Sequence, residues 1–289
     1  ADGGANASPG LAKAWGATIG AYSTVASGAV VNYGDISASA SAPYASATSF
    51  GSYVRNITSN PTATVVAATS NHGTIVSAAS ADHGDAFAVG SYLIGLRQLY
   101  TVDCSSGTCH YPGTLTANGG VATLDNDGAI GAVASAQGGV GHAYGAAVLG
   151  AFDSAISNDG HLYARVDADT ARAVGGLNNS LYGDATIHNG GAIGAVATGV
   201  SASASGVFVA GAYGNAGTGY MAATVDNAGH IQAKATGTTT ATAIGIEATA
   251  WKGDGIGIDN SGTIAAAAYG TGATATAVSM ISHGDNVLT

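Results

Sequence analysis

The sequence predicts an all-β fold, a right-handed parallel β-helix of about eight coils of roughly 31–39 residues each. Three observations predict it. One motif recurs seven times in fixed internal register. Small side chains alternate with a period of two after every copy. Glycine fills 46 of 289 positions, which rules out a continuous helical architecture.

The motif is Asn-x-Gly-x-(Ile/Leu)-x-small-x-small, beginning at Asn32, Asn71, Asn126, Asn158, Asn189, Asn227 and Asn260. The large aliphatic always stands four residues after the asparagine: Ile36, Ile75, Ile130, Leu162, Ile193, Ile231 and Ile264. Successive spacings are 39, 55, 32, 31, 38 and 33 residues. A unit with a floor near 31 and a variable tail fits a solenoid coil with loop insertions.

Alternation after the aliphatic, as in Ala38, Ala40, Ala42 and in Ala132, Ala134, Ala136, marks a strand with one face inward. A second apolar segment follows, such as AFAVGSYL or GVFVAGAY. A third short strand, such as MAATVDNAG, leads into the next asparagine. Three strands per coil running in the same sense make a parallel β-helix, and the usual hand of parallel crossovers makes it right-handed. The Asn and Gly are assigned to the sharp turn between the third strand and the first, because both accept the left-handed conformation. Stacked coils would place the amides about 4.8 Å apart in a hydrogen-bonded ladder. The seven asparagines are therefore read as structural turn residues, not ligands.

Residues 1–29 lack the motif and are expected to cap the N-terminal edge. Residues 30–289 form the β-helix, and its end at SHGDNVLT, partway through a unit, reads as truncation within a longer rod. The first residues, ADGGANASPG, read as a mature end left after cleavage. The 55-residue spacing carries an inserted loop at 96–115, with Arg97, Tyr100, His110 and Tyr111 as candidate binding residues. Cys104 and Cys109 lie within it. A single pair is a poor zinc site, and a local disulfide is expected, which implies an oxidising compartment.

Only 8% of residues are charged and the net charge is −10, so nucleic acid would be repelled. The uncharged stretches 129–152 and 185–225 are broken by glycine and polar residues and are not expected to span a membrane.

Coils of the pattern V-x-N-x-G-x-I-x-A-x-A, rich in Ala, Gly and Thr, resemble the passenger domains of bacterial autotransporters and related type V secreted adhesins. The resemblance covers roughly residues 30–289 and implies an extracellular rod on the outer surface of a Gram-negative cell. The C-terminal β-barrel that exports such passengers has no counterpart here.

Chemistry is sparsely represented. The eight histidines show no column that could share an ion, and the turn carboxylates, such as Asp125 and Asp226, are read as turn caps with weak calcium binding as the rival. No metal site and no cofactor is expected. The best polar cluster is Tyr163, Arg165 and Asp167, all outward from Leu162 by parity, with Lys234 two coils away. One carboxylate is too few for a general acid and base, and no GxSxG elbow occurs.

The expected function is a non-enzymatic stalk or adhesin contacting its own kind or a host or environmental surface. A flat strip at Gly131/Val133, Gly194/Val196 and Ala265/Ala267 would serve side-by-side association. The rivals are a polysaccharide lyase or hydrolase and, behind it, ice binding through TGTTTATA and TGATATA.

Overall fold

The computed structural model describes residues 11–22, 26–58, 65–97, 120–150, 152–181, 183–211, 221–250, 255–282, 284 and 286–289. They form a parallel β-solenoid with two sheets. The larger sheet stacks β1 (Ala12–Tyr22), β4 (Ala47–Thr58), β7 (Ala86–Arg97), β9 (Ala129–Gly150), β11 (His161–Ser180), β13 (Ala192–Gly211), β15 (His230–Ala250) and β17 (Thr263–Tyr269). Three further strands, β3 (Asp35–Ala42), β6 (Thr74–Ala81) and β18 (Gly272–Ile281), belong to the same sheet. The second sheet stacks β2 (Ala26–Asn32), β5 (Val65–Asn71), β8 (Gly120–Asn126), β10 (Asp153–Asn158), β12 (Ala185–Asn189), β14 (Met221–Asn227), β16 (Gly255–Asn260) and β19 (Asn286–Leu288).

Every strand of the second sheet that carries a repeat asparagine ends on it, and those asparagines pair in register from Asn32 to Asn260. The chain thus completes six full turns between them, with partial coils at either end. The second sheet has eight levels, so the sequence count of about eight coils corresponds to levels rather than complete turns.

The three expected segments per coil are present, but two of them merge. In the first coils and in the last they are separate strands: β3 and β4, β6 and β7, β17 and β18. In the central coils they run on as single strands of 20 to 22 residues. The corner between them is made by bulges rather than loops. Ala136 to Val140 in β9 spans the same interval as Ala168 to Thr170 in β11, and the register shifts there. Gly138, at φ 71°, takes up part of the excess in the left-handed region.

The interior separates into two cores. Near the asparagine turn it holds large aliphatics, including Ile75, Leu124, Ile130, Ile156, Leu162 and Ile193. At the bulged corner, where the two legs of the larger sheet converge, the lining is alanine with one valine, Val166. The alternating alanines that follow each repeat aliphatic line this corner. Little space separates the converging backbones, so alanine is the usual lining, and Val166 fits because Gly141 beside it has no Cβ, which would stand 2.5 Å from Val166 Cγ1.

The repeat glycines do not adopt the left-handed conformation assigned to them from the sequence: among the described glycines only Gly138 and Gly270 have φ in that region. Their role is steric. A Cβ on Gly128, Gly160, Gly191 or Gly229 would stand 2.0–2.1 Å from the carbonyl oxygen of the equivalent glycine one coil below. The turns stack backbone on backbone, and glycine is what permits it. A second glycine column, unforeseen in the sequence, runs through Gly16, Gly51, Gly90, Gly145, Gly175, Gly206 and Gly245. A Cβ on Gly51, Gly90 or Gly206 would lie 2.6–2.7 Å from the Cγ2 of a repeat isoleucine. Each such glycine opens the space that isoleucine fills.

The segment read as an N-terminal cap contributes β1 and β2, which continue both sheets by one more level. No described helix is long and apolar enough to cross a membrane, and the uncharged stretch 129–152 is largely the strand β9.

Candidate functional site: an aromatic face on the outside of the coil

Side chains at the repeat turn are inward and structural. Each asparagine Nδ2 donates to the Oδ1 of the asparagine in the next coil, at 2.6–2.8 Å, through all seven residues. Asn158 Nδ2 also meets Gly160 O and Ala192 O, both at 3.3 Å. Five of the seven are 2% exposed or less, so ligand binding is closed to them.

The outward face of the second leg of the larger sheet differs in kind. Parallel register sets its side chains in columns. One column reads Lys13, Thr48, Phe87, His142, Arg172. The next reads Trp15, Phe50, Val89, Tyr144, Val174. A third reads Thr18, Tyr53, Tyr92, Ala147, Leu177. Arg55 lies one position further out, beside Ile94 and Leu149. The rings touch across levels: Phe50 to Phe87 and Phe87 to Tyr144 at 5.8 Å, Tyr53 to Tyr92 at 5.5 Å. Phe50 also meets Tyr53 edge-on at 5.2 Å, and Phe87 lies 6.4 Å from His142. Such tilted and offset pairs are favourable ring geometries. The rings of β4, β7 and β9 are half-buried, and Trp15, on the first described level, is 50% exposed.

Two titrating groups are perturbed on this face. Burial first, then the neighbouring phenol of Tyr53, holds Tyr92 above the ordinary phenol range, with Arg55 opposing. Burial, then Arg172, pushes His142 below its ordinary value, with Asp85 opposing. Both effects mark a partly dehydrated surface.

The residues singled out in the sequence lie elsewhere. Tyr163, Arg165 and Asp167 all point outward from β11, on the first leg of the coil. Lys234 shares the Arg165 column two levels up, with Val196 between them, and its Nζ lies 5.6 Å from the Tyr269 ring. Beside this cluster is a shallow depression of about 390 Å³ bordered by His161, Tyr163, Gly194, His230 and Gln232. His161 and His230 share a column, with Ala192 between them.

The expected flat strip is not continuous. Tyr163 separates Gly131 from Gly194, and Arg165 separates Val133 from Val196. The Tyr163 ring occupies the space above Gly131, where a Cβ would stand 1.8 Å from it. Outward threonines stack over no more than two levels among the described residues, as at Thr198–Thr236 and Thr242–Thr274. Arg97 closes β7, paired with Thr58. Tyr100, His110, Tyr111 and the Cys104–Cys109 pair lie outside the described residues.

The turn edge holds one constellation unforeseen in the sequence. His72 Nδ1 lies 2.9 Å from Asp127 Oδ2, and His72 Nε2 lies 3.1 Å from Ser70 Oγ. Tyr33 stacks on the imidazole at 4.9 Å. The connectivity is that of a Ser-His-Asp relay. However, the amide of His72 already donates to Asn32 O and that of Asp127 to Asn71 O, so neither can stabilise an oxyanion. His188 and Asp226 make a second, longer pair at 3.5 Å. Among the described residues no three His, Cys, Asp or Glu side chains gather as metal ligands.

The aromatic face could have been found by aligning the coils on their asparagines: Asn32 to Tyr53 and Asn71 to Tyr92 are both 21 residues, and Asn32 to Phe50 and Asn126 to Tyr144 are both 18. No family model, curated protein or solved structure matches the chain.

Proposed function

We propose that this chain is a non-enzymatic, surface-exposed β-helical rod that mediates attachment, in the manner of an autotransporter passenger, and that its aromatic face is the adhesive surface. One observation carries the reading. Rings from β4, β7 and β9 make a contiguous, partly exposed platform, Trp15 of β1 continues the Phe50 column by register, and lysine and arginine stand at the margins. Trp, Tyr and Arg are the residue types that dominate binding energy at interfaces, and a clustered apolar patch on a soluble surface marks an interaction site. The coil itself does not need these rings: the same positions in β13 and β15 hold Ser203, Ser205, Thr242 and Ile244.

Beads coated with the protein should attach to cell or matrix surfaces, and the double substitution Trp15→Ser, Phe87→Ser should abolish attachment while circular dichroism stays unchanged. Undiminished attachment would remove the aromatic face from the reading. Failure of the native protein to attach to any surface, or to itself, would end it.

The Ser70–His72–Asp127 relay favours a second reading, a serine hydrolase acting on a surface polymer. It ranks below adhesion because the adjoining amides are already committed to the sheet. A fluorophosphonate probe decides: labelling of Ser70 that His72→Ala abolishes would establish the hydrolase.

A further inference from the structure

We infer that the aromatic face binds an unsulfated glycan chain laid along the rod axis and bearing a carboxylate on about every second sugar. The inference rests on the adhesive reading and names the partner of that same surface.

The first argument is geometric. Coils rise by about 4.8 Å, close to the length of one pyranose in an extended chain. The ring columns run along that axis, Trp15, Phe50 and Tyr144 in one and Tyr53 and Tyr92 in the next. A pyranose presents an apolar face of axial C–H groups to stack on a ring and hydroxyls around its rim. The platform offers both kinds of partner: ring faces, and the phenol hydroxyls of Tyr53, Tyr92 and Tyr144.

The second argument is charge. The protein carries 17 acidic residues against seven Lys and Arg. Nevertheless, across β1, β4, β7 and the second legs of β9 and β11 no Asp or Glu occurs, whereas Lys13, Arg55, Arg97 and Arg172 do. In this acidic protein the strands of the face hold no carboxylate, and Asp85, at the corner before β7, is the acid that borders His142. Guanidinium groups at an aromatic margin suit carboxylates. Lys13, Arg55 and Arg172 over five levels, a span of roughly 19 Å, supply about one cation for every two sugars at one sugar per level. That density fits spaced carboxylates and not a densely sulfated chain.

The third argument disfavours a second copy of this chain. A two-fold contact brings the same patch of each subunit together. Here it would set like-charged margins, Lys13 and Arg172, against their equivalents, with no carboxylate in the strands of the face to offset them.

The probe is a hyaluronan decasaccharide, unsulfated with one carboxylate per disaccharide, titrated calorimetrically against the full chain. Dextran and heparin oligomers of matched length are the comparisons. The expected result is saturable hyaluronan binding, weakened about tenfold by Trp15→Ala and about tenfold by Arg172→Gln. Dextran should bind more weakly than hyaluronan, and heparin should gain nothing from its extra charge. Both substituted residues are exposed, so the variants should retain native circular dichroism and melting.

Absence of hyaluronan binding overturns the inference, as does a preference for heparin indifferent to Trp15→Ala. A concentration-dependent dimer in sedimentation that Trp15→Ala dissolves also overturns it, assigning the face to a second copy. If hyaluronan is not bound but Trp15→Ser, Phe87→Ser still abolishes cell attachment, the adhesive reading stands and only the glycan falls.

Discussion

The two halves of the second leg of the larger sheet share one interior and have unlike exteriors. The inward column Ala88, Ala143, Ala173, Ala204, Ala243 passes unchanged from β7 to β15. The adjacent outward column changes from Phe50, Val89 and Tyr144 to Ser205, Ile244 and Thr276. Coil geometry dictates the first series, since converging backbones leave room for a methyl group at that column. Nothing in the coil dictates the second. The difference teaches where a solenoid is constrained and where it is free to carry function.

The comparison breaks most severely at the stacked turns. Gly128→Val and Gly229→Val, one in each half, should each cost more than about 4 kcal/mol, because the new side chain collides with backbone that cannot yield. Urea denaturation should show the two to be equally damaging. A large difference between them would mean that the halves do not share one stacking rule. Next in size, Asn126→Ala and Asn189→Ala should each cost about 2–4 kcal/mol by leaving neighbouring amides unpaired in a buried site.

Outward substitutions should separate the halves. Tyr92 and Glu247 occupy one column on different levels. Tyr92→Ala removes a half-buried ring from contact with Phe50 and Tyr53 and should cost about 2 kcal/mol and abolish attachment. Glu247→Ala should stay within about 0.5 kcal/mol and leave attachment intact. Equal effects on attachment would show that the adhesive surface is not confined to the aromatic half.

The smallest expected effect is the pH dependence of His142. The ring lies between Phe87 on β7 and Arg172 on β11, with Asp85 at the corner. Its folded pKa is depressed below the value of about 6.5 expected in the unfolded chain. As pH falls below about 6.5 the unfolded chain takes up the proton first, so stability is intact above that pH and declines below it, until the folded histidine also titrates. His142→Phe should flatten that decline in melting curves taken between pH 7 and 5. A decline of unchanged slope would place its source elsewhere.

The inward half of the fold was legible because it repeats. Asparagine, glycine and isoleucine keep fixed offsets, and the alternating alanines announce strands. The merging of two segments into strands such as β11 was not legible, because a bulge such as Gln137–Gly139 leaves no mark beyond a glycine-rich corner. The role of the repeat glycines was misread for a related reason. Sequence shows that a Cβ is forbidden, but not whether a dihedral angle or a neighbouring carbonyl forbids it. The aromatic face stayed hidden because its rings alternate with Val89 and Ala147 and their offset from the asparagine shifts where the coils shorten after Asn158. The polar group Tyr163, Arg165 and Asp167 was placed outward by simple parity, and its outward direction is what the strand shows.

The asparagine column has a polarity. Every Nδ2 points to the following coil and every Oδ1 receives from the preceding one, from Asn32 through Asn260. Reversing a single amide would set oxygen against oxygen on one side and hydrogen against hydrogen on the other, so the six linked bonds hold or invert only as a set. The column therefore behaves as a line of aligned dipoles with collective memory of direction, each bond polarising the next. A coil joining either end finds its amide orientation already decided: at one end it must supply a donor, at the other an acceptor. The rod thus has a head and a tail written into its interior, held by the backbone carbonyls that each Nδ2 also meets.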